Sequence, residues 1–232
     1  TALPAFSGEW CAILPRVWRD SDEPQLRAWL AHAKSMGVTA ALSGNLGHLP
    51  LLRDGGLTVS GDFGLNVFNS RALDYLRRKN LAAACLSFEL RFPQMRDMQK
   101  VIPAEAIVYG RLPLMITENC LVQNETGCRL DRQGPCVPED GPCRCGQPNV
   151  LVDRTGAAFP LLPAYGHRTE IQNSKPLYLA DRPEHRRLGL AYARLRFTTE
   201  TAEECVSVVQ NYLDAAPAAG DFTRGLYERG VE

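Results

Sequence analysis

The sequence predicts an α/β fold built on a parallel sheet, and two observations carry that expectation. Over residues 1–116, short β-branched or apolar runs alternate with amphipathic stretches at helical spacing, and polar or glycine residues stand directly after several of the runs. A third observation sets one region apart: from residue 120 to 148 the periodicity vanishes, and Gly, Pro, Cys and polar residues dominate. With 232 residues, 45% apolar and 22% charged, the chain has enough material for one ordinary domain or two small ones around a buried core.

The first run, 11–17, reads as a strand. A helix follows from about residue 22, where Asp or Ser can cap and Pro24 suits the first turn. Leu26, Trp29, Leu30 and Ala33 recur at helical spacing, and Gly37 closes the helix. Then come a strand at 38–42, a short helix at 48–53, a strand at 57–61, and a helix at 70–79 with Leu73 and Leu76 on one face. Asn80 stands where a left-handed cap is wanted. A buried strand at 81–87, a helix at 93–100 and a fifth strand at 106–109 complete five strand–helix steps, which implies a parallel sheet, open or part of a barrel. Beyond the irregular region, 150–153 and 158–162 read as a hairpin around Arg154-Thr155-Gly156, and 167–172 with 177–179 as a second β pair. A strand at 190–197 and a helix at 201–215, opened by Thr201 and Glu204 as a capping box, close the chain.

Charge is balanced, 26 basic against 26 acidic side chains, so no bulk excess draws the chain to nucleic acid or to a membrane surface. Contact with RNA would rest on local groups such as Arg77-Arg78-Lys79, Arg91 and Arg186-Arg187. The longest apolar stretches, such as 81–86, fall far short of the roughly 20 residues that a bilayer span needs, and no secretory leader is visible. The expectation is a cytoplasmic protein without a membrane contact. Trp10, Trp18 and Trp29 are expected in the core or facing a partner.

In α/β folds ligands bind at the carboxyl ends of strands, which directs attention to Ser43-Gly44-Asn45, Gly61-Asp62, Ser87-Phe88-Glu89 and Tyr109-Gly110-Arg111. Asp62, Asn66, Ser87 and Glu89 are the candidate catalytic residues; the competing reading is that such residues only form turns. Five of the eight cysteines crowd into Cys120-x7-Cys128-x7-Cys136-x6-Cys143-x-Cys145, while Cys11, Cys85 and Cys205 are scattered among apolar neighbours. Clustered thiols with Gly and Pro between them suit a metal better than disulfides in a chain without signs of secretion. The spacing lacks paired Cys-x2-Cys knuckles, so iron–sulfur and zinc both stay open, as does a surface loop of free thiols. His167, in the strand after the loop, is a further candidate ligand.

Several stretches together resemble the U32 peptidase, or collagenase-like protease, family. They are Asn45-Leu46-Gly47, the run from Gly61-Asp62-Phe63-Gly64 to Phe68-Asn69-Ser70, Leu86-Ser87-Phe88-Glu89-Leu90, and Tyr109-Gly110-Arg111-Leu112-Pro113-Leu114-Met115 leading into Glu118-Asn119-Cys120. Further on come Leu151-Val152-Asp153-Arg154 with Phe159-Pro160, Ile171-Gln172-Asn173-Ser174 with Pro176-Leu177, and Phe222-Thr223-Arg224-Gly225. The resemblance implies a TIM-like (β/α) barrel, or part of one, with a C-terminal β-rich, cysteine-containing metal-binding insertion. The corresponding segments are 1–116 for the barrel-type repeats, 117–182 for the insertion and 183–232 for the closing strand and helix. Several members hold an iron–sulfur cluster on four cysteines. Two departures stand out: a Gly-Ala-Asp-Ala-Val-Tyr type motif that opens the family's barrel has no counterpart, and the fourth cysteine is replaced by His167 in Gly166-His167-Arg168. By order, Cys120, Cys128 and Cys145 match the first three ligands and His167 the fourth, with Cys143 or Cys136 as alternates. Three cysteines and a histidine make a sound zinc set and can also hold a 4Fe–4S cluster.

For function, the resemblance implies an enzyme. Relatives are implicated in oxygen-independent hydroxylation of RNA bases or of a quinone precursor, with a cluster and a prephenate-type donor, which points to RNA or a small aromatic substrate. The family label points instead to a peptidase acting on peptides, although neither a Gly-x-Ser-x-Gly elbow nor a His-Glu-x-x-His helix is present. A non-catalytic half-barrel with structural zinc is the third reading. A chain holding only the later strands would expose its first strand, so a homodimer or a partner subunit supplying the missing barrel segment is expected.

Overall fold

The computed structural model describes residues 8–126, 144 and 147–229. The fold is mixed α/β and divides into two compact units. Among the described residues no helix is long and apolar enough to cross a membrane.

The first unit comprises Thr1–Ile107, Pro183–Arg194 and Gly225–Glu232. Its elements are β1 (Cys11–Ile13), α1 (Glu23–Ser35), β2 (Ala40–Ser43), α2 (His48–Asp54), β3 (Thr58–Gly61), α3 (Ser70–Arg78), β4 (Ala83–Cys85), α4 (Phe92–Asp97) and β5, which begins at Ala104 and ends at Gly110 in the second unit. The strands pair in parallel and in chain order, β1-β2-β3-β4-β5, each beside its predecessor. That is the order of consecutive steps of a (β/α) barrel, a partial barrel here, and not that of a doubly wound sheet. Among the described residues β1 pairs on one side only, with β2.

The predicted elements are present with shifted ends. β1 stops at Ile13 instead of running to residue 17, because Pro15 has no N–H to continue the ladder after Leu14 donates to Leu42. β4 is short because Leu86 and Ser87 bond onward in different directions, to Glu105 and to Val67. α4 ends at Asp97 because Met98 turns extended, and the Lys100 ammonium then caps the carbonyls of Met95 at 2.6 Å and Met98 at 3.2 Å. In α1 the buried stripe is Leu26 and Leu30, four residues apart, whereas Trp29 lies beside it and stays 46% exposed. Gly37 and Asn80 occupy left-handed conformations just past their helices, as their positions in the sequence required. The last stretch of the unit is held by Tyr227, whose hydroxyl donates to the Ile107 carbonyl at 2.6 Å and whose ring stacks on Phe92 at 5.5 Å.

The second unit comprises Val108–Arg182 and Leu195–Arg224. Its elements are β6 (Pro113–Thr117), α5 (Leu121–Thr126), β7 (Asn149–Val152), β8 (Ala158–Ala164), β9 (Arg168–Gln172), β10 (Leu177–Tyr178), the end of β11 (Tyr192–Arg196) and α6 (Ala202–Asp214). An antiparallel sheet runs β6-β9-β8-β7. The β7–β8 hairpin forms as predicted, closed by Asp153, whose Oδ1 accepts the N–H groups of Thr155 at 2.8 Å and Ala157 at 3.0 Å.

The second predicted pair does not form. β9 pairs with β6 and β8, while β10 pairs with the end of β5, Leu177 opposite Gly110. The turn between β9 and β10 explains the exchange: the Asn173 N–H goes to the Leu112 carbonyl, and Arg111 takes the Asn173 and Ser174 carbonyls, so the chain is diverted. β6 has no counterpart among the expected strands, because a Pro-led run of five residues carries little periodicity. The core of this unit gathers Tyr109, Tyr178, Ala180 and Val208 with Phe197, Tyr212 and Phe222 packed against them. The Tyr212 hydroxyl donates to the Val108 carbonyl at 2.5 Å and accepts the Leu179 N–H at 2.8 Å. Gly110 is required where it stands: its φ is 114° and a Cβ there would fall 2.0 Å from the Arg196 carbonyl oxygen.

α6 opens with the capping box expected of Thr201 and Glu204, Thr201 Oγ1 accepting the Glu204 N–H at 3.3 Å and Glu204 returning to the Thr201 N–H at 2.7 Å. Thr201→Ala is therefore expected to lower stability by about 1 kcal/mol, read as a fall of a few degrees in Tm; an unchanged Tm would show that α6 is held by its packing alone.

Candidate functional site

In the first unit the expected catalytic residues sit on the carboxyl ends of two neighbouring strands. Asp62 follows β3; its N–H donates to the Ser43 carbonyl at 2.8 Å, and its Oδ1 accepts the Phe63 N–H at 2.8 Å, which starts a single helical turn at Phe63–Leu65. Asn66 ends that turn in a left-handed conformation and is exposed. Ser87 follows β4, is buried, donates its N–H to the Val67 carbonyl at 3.0 Å, and accepts the Glu89 N–H on Oγ at 3.3 Å. Glu89 is half-buried, and between the two strand tips the rings of Phe63 and Phe88 lie 5.9 Å apart. Asp62, Asn66, Ser87 and Glu89 thus share one end of the parallel sheet, and two of them, Asp62 and Ser87, are tied into turns.

Asp62 belongs to an ionic network that the sequence did not announce. Arg194 donates to the Asp62 carboxylate through Nη1 and forms an ion pair with the Glu105 carboxylate through Nε at 2.5 Å, and all three side chains are largely withdrawn from solvent. The Cys85 thiol, buried beside Glu105, lies within hydrogen-bonding reach of that carboxylate. Burial raises the Glu105 pKa, with Arg194 pulling against it, and burial raises the Cys85 thiol well above its ordinary range. Burial also opposes the charge on Arg194, yet Cys85, Glu105 and Asp62 together hold its pKa above the ordinary value. The signal for Glu105 was present: it is a charge set inside an otherwise apolar strand, and a charge so placed must be paired, whereas Arg194 shares its strand with Arg196 and carried no such signal.

Arg16 adds a fixed cation at the same strand tips. Its guanidinium lies 4.8 Å from the Phe63 ring centroid, and Asn45 donates to its carbonyl at 3.1 Å. Its aliphatic stem runs past Gly44 and Gly64, where a Cβ would come within 2.8 Å of it, and a Cβ on Gly64 would also meet the Gly44 carbonyl at 2.6 Å. His48, at the start of α2, is completely buried 5.1 Å from the Trp18 ring, and among the described residues neither ring nitrogen has a hydrogen-bond partner. Burial pushes its pKa down to about 4.

The expected metal ligands that are described lie in the second unit. Cys120 is buried at the end of the β6 segment, immediately before α5. Three contacts bring its surroundings to the start of β9: Thr117 pairs with Thr169, Glu118 forms an ion pair with Arg168 at 3.0 Å, and the Leu121 N–H donates to Thr169 Oγ1 at 3.0 Å. His167 directly precedes β9, and both it and Gly166 are left-handed, with φ of 58° and 73°. Cys128, Cys136, Cys143 and Cys145 lie outside the described residues. Among the described residues no group of three His, Cys, Asp or Glu side chains is placed to hold a metal ion.

Residues 10–150, more than half of the chain, match peptidase family U32. The chain belongs to that family. The matched stretch covers all five strands of the partial barrel, the strand tips with Asp62, Asn66, Ser87 and Glu89, and the whole cysteine-rich segment of this U32 protein. His167, Arg194 and the β9–β10 turn fall after it. No curated protein and no solved structure matches the chain.

Proposed function

We propose that this U32 chain is an enzyme of the oxygen-independent hydroxylation type, acting on an RNA base or a small aromatic substrate with the help of a cysteine-ligated metal site. The observation that supports this reading best is the tie between the Cys120 segment and the start of β9, where the Glu118–Arg168 ion pair and the Leu121–Thr169 bond hold a buried thiol and the His167 turn at the same end of a strand pair. Thiolate and imidazole are the donors that zinc and iron–sulfur centres share, so the donor set fits either group. Cys120, Cys128, Cys145 and His167 are the proposed ligands, with Cys143 or Cys136 as alternates. A 4Fe–4S cluster would bring one-electron transfer to this site, whereas zinc would act as a clamp on the fold. In the first unit Asp62, Asn66, Ser87 and Glu89 would face substrate at the strand tips, with Arg194 keeping the Asp62 carboxylate in place and Arg16 offering a cation to an anionic substrate.

The test is metal and acid-labile sulfide analysis, with a visible spectrum, on protein purified without oxygen, comparing the unmodified chain with Cys120→Ala. Iron and sulfide that disappear in the variant are the expected result. One zinc per chain without sulfide would move the reading to a zinc-stabilised half-barrel module. The family name favours a peptidase as the second reading, and cleavage of gelatin that is lost in Glu89→Gln and in Asp62→Asn would establish it.

A further inference from the structure

At the carboxyl end of β5 the second unit buries two side-chain donors that have no acceptor among the described residues. Arg196 donates from Nη1 to Gln172 Oε1 and to the Arg111 carbonyl, each at 2.7 Å, and from Nη2 towards Glu170 at 3.5 Å. Gln172 and Glu170, two residues apart on β9, lie on one face of that strand. Arg111 extends the other way and donates to the carbonyls of Asn173, at 3.0 Å, and Ser174.

The orientation of the Gln172 amide follows from this arrangement. A guanidinium can only donate, so the atom that faces Arg196 is the oxygen, and Nε2 points elsewhere. That Nε2 and the Nε of Arg111 are both buried, and neither has a hydrogen-bond partner among the described residues. Gln172 is fully buried, while Arg111, Asn173 and Ser174 are half-buried and open the place to solvent. Arg111 meets carbonyls and, among the described residues, no carboxylate, and the nearby Lys175 is paired with Asp221 at 3.7 Å. Two orphaned donors beside a guanidinium that meets no carboxylate are what a negative acceptor would satisfy.

We propose that Arg111, Gln172 and Arg196 form an oxyanion-binding site that takes a carboxylate or phosphate group of a small ligand. The Gln172 Nε2–H and the Arg111 Nε–H each supply a hydrogen bond to the anion, and Arg196 supplies charge while holding the Gln172 amide in the donating orientation. Close packing fixes the assembly, since Gly110 sits so near the Arg196 backbone that no side chain fits between them. The site lies at the strand end where α/β folds bind ligands, and it does not depend on the metal reading.

Isothermal titration of the full chain with inorganic phosphate and, separately, with benzoate tests this, with sodium chloride at equal ionic strength as the control. The variants are Gln172→Glu, which still accepts from Arg196 but no longer donates, and Arg111→Lys, which removes the Nε donor. Saturable binding of one anion or both is expected, with a matching rise in Tm and a loss of about 10-fold to 100-fold in affinity in each variant. Tighter binding of phosphate would identify a phosphoryl ligand, and of benzoate a carboxylate. Should Gln172→Glu fail to fold, Arg111→Lys carries the comparison. No heat and no Tm shift with either anion would mean that a buried water occupies the donors, and equal affinity in the variants would place the anion elsewhere; either result overturns the proposal.

Discussion

Arg194→Met is expected to cost about 3–5 kcal/mol of folding stability, the largest effect of any single substitution in the first unit. The guanidinium stands between Asp62 and Glu105, whose side chains are only 6% and 19% exposed, and no water shell is available to either carboxylate when it leaves. Methionine fills much of the volume, so the loss comes from two stranded charges and not from a cavity. The sign with pH follows. Burial already raises the Glu105 pKa against the pull of Arg194, so without the guanidinium a proton is taken up more readily. The deficit is therefore largest near neutral pH and shrinks as the solution is acidified. Denaturant unfolding at pH 7.5 and pH 5 measures both. Adding Asp62→Asn and Glu105→Gln to the variant is expected to restore most of the loss, because removing a whole buried ionic group is far cheaper than removing one member. A single variant within about 1 kcal/mol of the parent would show that solvent reaches the network.

Acid is expected to destabilise the first unit through His48. Its pKa is about 4 when folded, against an ordinary value of 6.5, because burial disfavours the imidazolium. The unfolded chain therefore binds the proton first. Stability from this group is complete above pH 6.5, falls as the pH drops from 6.5 to 4, and changes no further below that. At 1.36 kcal/mol per unit the whole step amounts to about 3 kcal/mol. His48→Leu is expected to remove this component of the slope. It is also expected to be stabilising at neutral pH, since two buried ring nitrogens without partners are exchanged for a side chain that needs none. Unfolding free energies of the two proteins across pH 7.5 to 4.5, subtracted from one another, isolate the histidine from the carboxylates that titrate in the same range. Parallel curves would show that His48 meets solvent or a partner in solution.

Much of the fold was legible because its signals are local. The alternation of apolar runs with helical stripes identified the five parallel strands, and cap chemistry placed Gly37, Asn80 and the Thr201–Glu204 box. The same locality explains the failures. The partner of β9 differs from the expected one because a strand's own pattern does not say which edge it will meet, and here Arg111 and the Asn173 N–H divert the chain before a hairpin with β10 can form.

Of the candidate site, the strand-tip residues and Cys120 could be chosen from residue type and position alone. By itself, then, the sequence determined the family, the α/β alternation and the tips where chemistry is expected, all of which depend on neighbours within a few residues. Tertiary structure decided which charges meet. Asp62 and Arg194 are 132 residues apart, Gln172 and Arg196 are 24, and each pair is joined only because the tertiary fold brings chain segments distant in sequence together, where a withdrawn charge or a buried amide needs a partner.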